Sequence, residues 1–288
     1  MVCNLCPRKC NAQRSKTKAH GFCKCENEMK VARIAPHLWE EPCISGKNGC
    51  GAVFFSGCTL KCVYCQNYEI SHKNNGRFIS PQELSEKLRE LESNGVHTIE
   101  FVSATQYVEK LIETLDIYKP GVPLIYNCSG YESTETLRKL EGYIDVFLPD
   151  FKYSDNKLAK ELSKCDNYCE ITTKAIYEML KQQPKLSFDD DGLIRKGVII
   201  RHLVLPSHTK NSLGVLNIIK ENFSERVLLS LMGQYTPYGT ALKIEGLNRK
   251  ITKREYDKVF NELLRLDLDG FAQELESADK SYIPEWDY

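Results

Sequence analysis

The sequence lacks an excess of charge of either sign and any long apolar run. Its 288 residues carry 39 Lys plus Arg against 39 Asp plus Glu, whereas nucleic-acid and anionic-membrane binders normally carry a basic excess. No uninterrupted apolar stretch approaches the ~20 residues of a membrane helix. The first thirty residues are polar and lack the apolar core of a signal peptide. We therefore expect a globular cytoplasmic protein with no nucleic-acid or membrane partner.

Cysteine, by contrast, is unusually frequent, with 13 residues. The cytosol keeps thiols reduced, so metal ligation is a better interpretation than a disulfide framework. Ten cysteines fall in the first quarter of the chain: Cys3, Cys6, Cys10, Cys23, Cys25, Cys43, Cys50, Cys58, Cys62 and Cys65. The other three, Cys128, Cys165 and Cys169, we interpret as small apolar fillers.

The amino-terminal segment differs from the rest of the chain in charge. Residues 1–33 carry eight basic side chains against Glu26 and Glu28, so this segment is +6 and the remainder is −6. It has few aliphatic residues before Val31, so it needs a metal or a neighbouring domain to order it. We predict a cysteine-rich appendage over residues 1–50 and one larger domain over residues 51–288.

Short β-rich runs alternate with amphipathic helical patterns from Gly51 onward. One predicted helix begins at Ser80 with Glu83 in a capping box and buries Leu84 and Leu88. Such alternation predicts an α/β fold whose parallel sheet is either doubly wound or curved into an incomplete barrel. In both forms the chemistry lies at the carboxyl ends of the strands. The candidate strands are 52–55, 98–102, 123–127, 144–148, 198–205 and 227–231.

The strongest motif is Cys58-x3-Cys62-x2-Cys65, directly after the first of these strands. Three thiolates hold three irons of a cubane cluster and leave the fourth iron open to an exogenous ligand. A structural zinc loop that borrows a fourth ligand from elsewhere is the alternative.

This motif, with an aromatic residue before its third cysteine, resembles the cluster loop of the radical S-adenosylmethionine (SAM) superfamily. The wider sequence resembles proteins similar to pyruvate formate-lyase activating enzyme, in a branch whose own substrate is generally not assigned. The matching stretches are EEPCISG (40–46), FFSGC (54–58), CQN (65–67), YNCSGYE (126–132), LPDFKY (148–153), RHLVLP (201–206) and MGQY (232–235).

The resemblance implies a partial (β/α)6 barrel in which Cys58, Cys62 and Cys65 bind a [4Fe-4S] cluster. SAM would bind the open iron and, on one-electron reduction, give a 5′-deoxyadenosyl radical that abstracts hydrogen from a substrate. The cofactor supplies the chemistry, so we assign no catalytic side chain.

The resemblance also implies SAM contacts at the strand ends, from an Asp-x-Lys pair and a basic or His-bearing fifth strand. The sequence departs from the superfamily at the second strand, where VSATQ (102–106) replaces a Gly-Gly-Glu run and offers hydroxyls without a charge. An ordinary ion pair for Asp150 with Lys152, and a core histidine for His202, are the alternatives. The candidate contacts are Ser103, Thr105, Asn127, Ser129, Asp150, Lys152 and His202.

A second metal site is predicted from the amino-terminal cysteines. Cys3-x2-Cys6-x3-Cys10, followed by Cys23 and Cys25, offers enough ligands for a closed four-thiolate site, which we assign to Cys3, Cys6, Cys10 and Cys23. Zinc and a second [4Fe-4S] cluster suit this spacing equally well, and unmetallated thiols are a further alternative. Cys43 and Cys50 are alternative ligands.

The resemblance thus implies a radical SAM oxidoreductase, and the basic segment suggests that a flavodoxin or ferredoxin docks there as electron donor. Its substrate is left open between a glycyl radical enzyme, a peptide and a small metabolite, because a shared barrel does not transmit substrate identity. The competing hypothesis is a zinc or iron-sulfur binding module without turnover.

Overall fold

A computed structural model of the protein describes residues 2–273, 275 and 286. Its strands are β1 (Met29–His37), β2 (Cys50–Phe55), β3 (Arg77–Ile79), β4 (Thr98–Val102), β5 (Leu124–Cys128), β6 (Val146–Pro149), β7 (Ser187–Phe188), β8 (Ile194–Leu203), β9 (Leu228–Met232) and β10 (Gly270–Ala272). Its α-helices are α1 (Pro42–Ser45), α2 (Tyr68–Ser71), α3 (Pro81–Ser93), α4 (Val108–Ile117), α5 (Thr134–Lys139), α6 (Asn156–Ser163), α7 (Tyr168–Gln182), α8 (Thr209–Asn222) and α9 (Lys253–Arg265).

The sheet confirms the predicted parallel architecture and distinguishes its two forms. Strands β2, β4, β5, β6, β8, β9 and β10 are neighbours in that order and pair in parallel. A doubly wound sheet reverses its strand order at one point, whereas this order follows the chain without a reversal. The fold is therefore the incomplete barrel. Strand β1 extends it antiparallel to β2, and β3 pairs antiparallel with β1.

Alternation along each strand divides the apolar core into two layers. Phe54, Val102 and Leu148 belong to the smaller cluster, which fills the concave side of the sheet. Their neighbours Phe55 and Phe101 belong to the larger cluster, which lies between the sheet and the helices. Successive side chains point to opposite faces, so strand parity decides which residues can reach a site inside the barrel.

The amino-terminal segment lies along the barrel and is held there by two arginines. Arg8 Nε donates to Thr59 O at 2.8 Å, and Arg8 Nη2 donates to Ser163 O at 2.9 Å. Arg14 Nη1 donates to Gln106 O at 2.7 Å. The domain boundary at residue 50 stays a prediction. Strand β1, within residues 1–50, is hydrogen-bonded to β2, most of which lies beyond that boundary.

The predicted helix at Ser80 is confirmed as α3. Ser80 Oγ accepts from the Glu83 backbone N–H at 3.1 Å, and Leu84 and Leu88 are buried. The Glu83 carboxylate accepts from Arg77 at 2.6 Å. Among the described residues, none of the helices is long and apolar enough to span a membrane.

Candidate functional site

A cavity of about 210 Å³ opens at the carboxyl ends of the parallel strands. Its wall combines the loop after β2 with the ends of β4, β5, β6 and β8. This is the edge at which the strand rule places chemistry. Eight of the residues that the sequence singles out line it: Cys58, Cys62, Cys65, Ser103, Asn127, Ser129, Asp150 and Lys152.

The loop over residues 57–65, here called the cysteine loop, gives each of its three sulfurs a hydrogen-bond donor. Ser163 Oγ donates to Cys62 Sγ at 2.9 Å. Ser71 Oγ donates to Cys65 Sγ at 3.2 Å, and the Leu60 backbone N–H lies 3.4 Å from Cys58 Sγ. Such donors stabilise thiolates and tune the potential of a cluster bound to them.

Burial disfavours thiolates in this loop unless a metal is bound. It raises the pKa of Cys65 to about 12 and raises the pKa of Cys62 above its ordinary value. Both groups are therefore thiols at neutral pH in the free protein, and a cation that binds them must displace their protons.

The three thiols of the cysteine loop line one wall of the cavity. Within the part of the chain that the structure describes, no three His, Cys, Asp or Glu side chains lie close enough to share one metal ion. A cubane takes each thiolate on a separate iron, so its ligands surround a wider space. The three thiols on one cavity wall fit that arrangement and leave the cavity side open.

Asp150 and Lys152 form an ion pair at the end of β6, beside the cysteine loop. Burial works against the charge of Lys152, but the hydrogen-bonded Asp150 carboxylate holds its pKa above the ordinary value, so it is cationic. The Tyr168 hydroxyl accepts from the Lys152 backbone N–H at 2.9 Å and lies 2.8 Å from Ser129 O. Tyr168 thereby braces the ends of β5 and β6 against each other.

Thr105 is placed outside the cavity. Its hydroxyl donates to Glu132 Oε1 at 2.8 Å, in a buried network that also includes the Tyr126 hydroxyl, 3.3 Å from Glu132 Oε2. The short helical turn after β4 directs this side chain toward the helical layer. Of the two hydroxyls predicted in this stretch, only Ser103 faces the cavity.

His202 is also placed away from the cavity. Its ring is fully buried between Phe151 O, 2.7 Å from Nδ1, and Ser212 Oγ, 2.8 Å from Nε2. Burial lowers its pKa to about 4, so the imidazole is neutral. Its position agrees with the core-histidine alternative, since residue 202 has the parity of the helix-facing side chains of β8.

Arg201, the neighbour with the opposite parity, lines the cavity instead. Its Nε donates to Glu41 Oε1 at 2.7 Å, and its Nη2 also contacts Glu40. The same guanidinium lines an adjoining cavity of about 490 Å³, which also contains His37. The two cavities share walls at Asn127 and Arg201, so together they make one site with a thiol-lined end and a charged end.

Gln106, which no sequence motif singles out, positions the start of the cysteine loop. Its Nε2 donates to Ser103 O at 2.7 Å, to Ser56 O at 3.0 Å and to Gly57 O at 3.3 Å. Its own carbonyl accepts from Arg14. One uncharged amide therefore ties the start of the cysteine loop to the end of β4.

We expect Gln106→Glu to destabilise the protein by about 3 kcal/mol, because a carboxylate would face carbonyl oxygens without a proton to donate. A thermal melt of the reconstituted protein should show a fall of roughly 6 °C. Gln82→Glu, on the exposed face of α3, is the matched control and should melt with the wild type. Equal melting temperatures for all three proteins would contradict the role assigned to Gln106.

The predicted amino-terminal ligands also converge. Cys3, Cys6, Cys10 and Cys23 line one enclosed cavity of about 10 Å³. Cys25 lies beside this cavity, with its Sγ 3.5 Å from Cys23 O and against Gly57. Cys43 and Cys50 lie elsewhere, Cys43 in α1 and Cys50 with its Sγ 3.6 Å from Glu100 Oε2 within the barrel.

Because Glu132 is buried, we expect the stability of the folded protein to depend on pH. Burial raises its pKa from 4.5 to about 8, with the hydrogen bonds from Thr105 and Tyr126 opposing the rise. A carboxyl whose folded-state pKa is raised stabilises the fold below the unfolded-state pKa, and this contribution is lost as pH rises through the folded-state value. As the pH rises from 5 to 8, the free energy of unfolding of the wild type should therefore fall by about 3 kcal/mol more than that of Glu132→Gln.

Denaturant unfolding at both pH values measures this difference. Glu135→Gln, which removes an exposed carboxyl from the next turn, should follow the wild type. A Glu132→Gln curve parallel to that of the wild type would mean that Glu132 is ionised in the folded protein.

A family model and two known proteins each match more than half of this chain. A family model described as the radical SAM superfamily matches residues 52–222. An uncharacterised protein of Methanocaldococcus jannaschii is 28% identical over 277 residues, covering 93% of this chain and 75% of the relative. The pyruvate formate-lyase-activating enzyme of Clostridium pasteurianum is 28% identical over 241 residues, covering 79% of this chain and 84% of the relative.

Solved structures share the fold at low sequence identity. SuiB of Streptococcus suis, bound to its precursor peptide SuiA, superposes with a TM-score of 0.51 at 16% identity, covering 77% of this chain. The chain spans about half the length of SuiB, 48%. Methylornithine synthase also has a TM-score of 0.51 at 16% identity, covering 74% of this chain and 63% of the other.

Proposed function

The chain belongs to the radical SAM superfamily, and from that membership we propose that it binds a [4Fe-4S] cluster through Cys58, Cys62 and Cys65 and cleaves SAM reductively. The observation that carries the assignment is the three thiols on one wall of the strand-end cavity. When bound, the cluster supplies one electron to the sulfonium of SAM, which yields methionine and a 5′-deoxyadenosyl radical that abstracts hydrogen from a substrate.

The charged residues around the cavity are proposed to orient SAM. Lys152 is cationic and lies beside the cysteine loop, where a methionine carboxylate needs a partner. Asp150 accepts from Lys152 and keeps a second oxygen for a ribose hydroxyl or an amine. Asn127 and Ser129 add neutral polar contacts from the end of β5.

The amine of SAM meets no acid from the end of β4, where the superfamily usually has one. Ser103 supplies the hydroxyl that faces the cavity, and Thr105 is turned away. Glu40 and Glu41, already paired with Arg201, are the carboxylates of the adjoining cavity. We propose that binding of the amine relies on the open iron and on Ser103.

Anaerobic reconstitution followed by incubation with SAM and dithionite tests the function. 5′-Deoxyadenosine should accumulate, and omission of either SAM or reductant is the control. A protein that holds a reducible cluster and yet gives no 5′-deoxyadenosine would refute the proposal. A colourless protein containing zinc would favour the non-enzymatic alternative.

The substrate we propose is a glycine residue of a partner enzyme, and the oxidoreductase class follows from that reaction. The support is the resemblance over most of the chain to an enzyme named as the activator of pyruvate formate-lyase. A peptide or small-metabolite substrate is the alternative, supported only at the level of the fold. A glycine-centred radical signal on a co-purifying partner after turnover would identify the glycine residue of a partner enzyme as the substrate.

We also propose that an acidic flavodoxin or ferredoxin docks on the basic amino-terminal segment, where Lys9 and Lys24 are exposed. Because electrostatic steering is screened by salt, raising the ionic strength from ~50 to ~500 mM should slow cluster reduction by flavodoxin about tenfold. Reduction by dithionite is the control. A rate of reduction by flavodoxin that does not change with salt would exclude this docking mode.

A further inference from the structure

We propose that the open edge of β10 binds the substrate as an extended peptide, and that four amide side chains hydrogen-bond to its main chain. These side chains, here called the amide cluster, are Gln66, Asn67, Gln234 and Gln273. The inference rests on the proposed function for the radical that the peptide meets, but not for the binding of the peptide itself. It assigns recognition to backbone groups of the substrate rather than to particular side chains.

The adjoining cavity of about 490 Å³ lies in the gap of the incomplete barrel. Strands β10 and β1 lie toward opposite ends of the sheet, and the wall of this cavity includes residues 270–273 from one end and His37 from the other. Its volume falls within the ~300–1,000 Å³ of ligand pockets. A ligand in the gap would reach the strand-end cavity, because the two cavities share Asn127 and Arg201.

Strand β10 has one edge without a neighbouring strand in the part of the chain that the structure describes. On its other edge it pairs with β9, where the Gln273 backbone N–H donates to Leu231 O at 3.0 Å. Successive residues of a parallel strand bond to opposite sides, so the backbone groups of Gly270 and Ala272 face away from β9. Both residues are exposed. They are separated by a two-residue repeat of ~6.6 Å, which matches the spacing of main-chain groups along an extended peptide.

The amide cluster lies where the two cavities join. Its four side chains line the adjoining cavity, and all but Gln273 also line the strand-end cavity. Gln273 Nε2 donates to Gln234 Oε1 at 3.2 Å. Among the described residues, Gln273 Oε1 is buried without a donor, and Gln234 Nε2 has no better acceptor than the Met232 thioether at 3.9 Å. One acceptor and one donor are therefore left over, and a peptide unit supplies the complementary N–H and C=O.

The charges in the adjoining cavity disfavour an anionic metabolite. Arg201 is the one Lys or Arg side chain among the described residues that line it. Its guanidinium is already paired with Glu40 and Glu41, and burial lowers the pKa of His37. A carboxylate or phosphate would lack a counter-charge from these residues, whereas an uncharged main chain needs hydrogen bonds alone.

Calorimetric titration of the full-length, anaerobically reconstituted protein, with SAM and without reductant, tests main-chain recognition. The probe is a capped heptapeptide of alternating Thr and Val with a central Gly, which carries no charge. It should bind with a Kd of about 1 mM or tighter. Two analogues carry N-methyl groups on opposite edges of the extended peptide, which removes main-chain donors and leaves every side chain unchanged. At least one of them should bind at least about tenfold more weakly.

Two results of this titration would overturn the proposal. One is equal affinity for the parent peptide and both analogues. The other is no binding of the parent peptide at ~5 mM.

Two substitutions at one exposed position test the edge of β10. Ala272→Pro removes a donor that faces away from β9, so it costs no bond within the sheet. It should weaken binding of the heptapeptide about fivefold, whereas Ala272→Val, the matched control, keeps the N–H and should stay within about twofold. Equal binding by the wild type and both variants would exclude pairing at this edge. If a thermal melt shows that Ala272→Pro is unfolded, the N-methylated peptides test the same bonds on the wild type.

Gln273→Leu tests the amide cluster, because it removes the unpaired acceptor and keeps a side chain of similar size. Binding of the heptapeptide should weaken about fivefold. Gln82→Leu, on the exposed face of α3, is the matched control and should bind as the wild type does. Unchanged binding by Gln273→Leu would overturn the role of the amide cluster.

Glycinamide distinguishes a peptide from a small metabolite, since it has the central group of the probe without the flanking main chain. It should bind at least about tenfold more weakly than the heptapeptide, and equal affinity would overturn the proposal. The titrations contain no reductant, so they are independent of turnover. Peptide binding without 5′-deoxyadenosine formation would refute the proposed function alone. Formation of 5′-deoxyadenosine by a protein that does not bind the peptide would overturn this inference alone.

Discussion

Cys62→Ala should lower 5′-deoxyadenosine formation more than about 1000-fold, equivalent to roughly 4 kcal/mol in the activation barrier. Cys62 is buried at the back of the cysteine loop, where Ser163 donates a hydrogen bond to its sulfur. Two remaining thiols cannot fix three irons, so the variant loses the cluster rather than only its tuning. Product measured by chromatography, with iron measured on the same sample, tests both parts of this expectation.

Cys169→Ala is the matched control for this experiment. Cys169 is half-buried in α7, and its sulfur contacts the Tyr153 carbonyl at 3.3 Å, outside the strand-end cavity. This variant should keep its iron and its rate. If Cys62→Ala retained even a tenth of wild-type product, Cys62 would not be a cluster ligand.

Gly57→Ala should have the second large effect. Gly57 has a φ of +86°, and a Cβ there would lie 2.1 Å from Cys25 Sγ and 3.0 Å from Asn74 Oδ1. The amino-terminal segment would have to move away from the cysteine loop. We expect a loss of more than about 4 kcal/mol in stability and a loss of most bound iron. Thermal melting and iron analysis measure the two effects.

Two further variants separate the clash from the backbone strain. Gly142 has a φ of +81° with no atom within 4 Å of an added Cβ, so Gly142→Ala should show only the cost of a left-handed residue, about 1–2 kcal/mol. Cys25→Ala/Gly57→Ala removes the opposing sulfur and should recover much of the iron lost in Gly57→Ala. If Gly57→Ala behaved like Gly142→Ala, the close packing of the segment on the loop would be disproved.

The six central strands were predictable because they are buried on both faces. The predicted strand over residues 98–102, all of them buried, matches β4 residue for residue, and the others differ from the structure by a few residues at their ends. The outer strands β1, β3 and β10 were not predicted. β1 contains Lys30, Arg33 and Pro36, and β3 and β10 have three residues each. Short or polar edges carry too little periodic signal for assignment.

The same burial explains why the direction of the His202 side chain could not be predicted. Where both faces of a strand are apolar, the alternation that distinguishes inside from outside disappears from the sequence. RHLVLP (201–206) identifies the right segment, but only the structure shows that Arg201 points inward and His202 outward. The cysteine motif does not depend on strand parity, because its three thiols lie on one short loop.

Thr105 and Gln106 show a different limit. Both belong to the turn after β4, where the direction of a side chain depends on the tertiary contacts of the loop rather than on any repeat. Thr105 is held by the buried Glu132, and Gln106 by the carbonyls of the cysteine loop. Neither partner lies near these residues in the sequence, so no local pattern indicates the pairing.

The clamp of Arg8 on the cysteine loop also sets an order of events during synthesis. Arg8 donates to the Ser163 carbonyl 155 positions later. At ~5–20 residues per second, a ribosome needs about 8–30 s to make the intervening chain. The cysteine loop is complete at Cys65, so for the last 98 of these positions, from 65 to 163, it has been translated but lacks the bond between Arg8 and Ser163. Iron delivered before α6 emerges would therefore meet thiols on a still mobile nascent chain, so the protein must be more than half translated before its metal loop acquires its final shape.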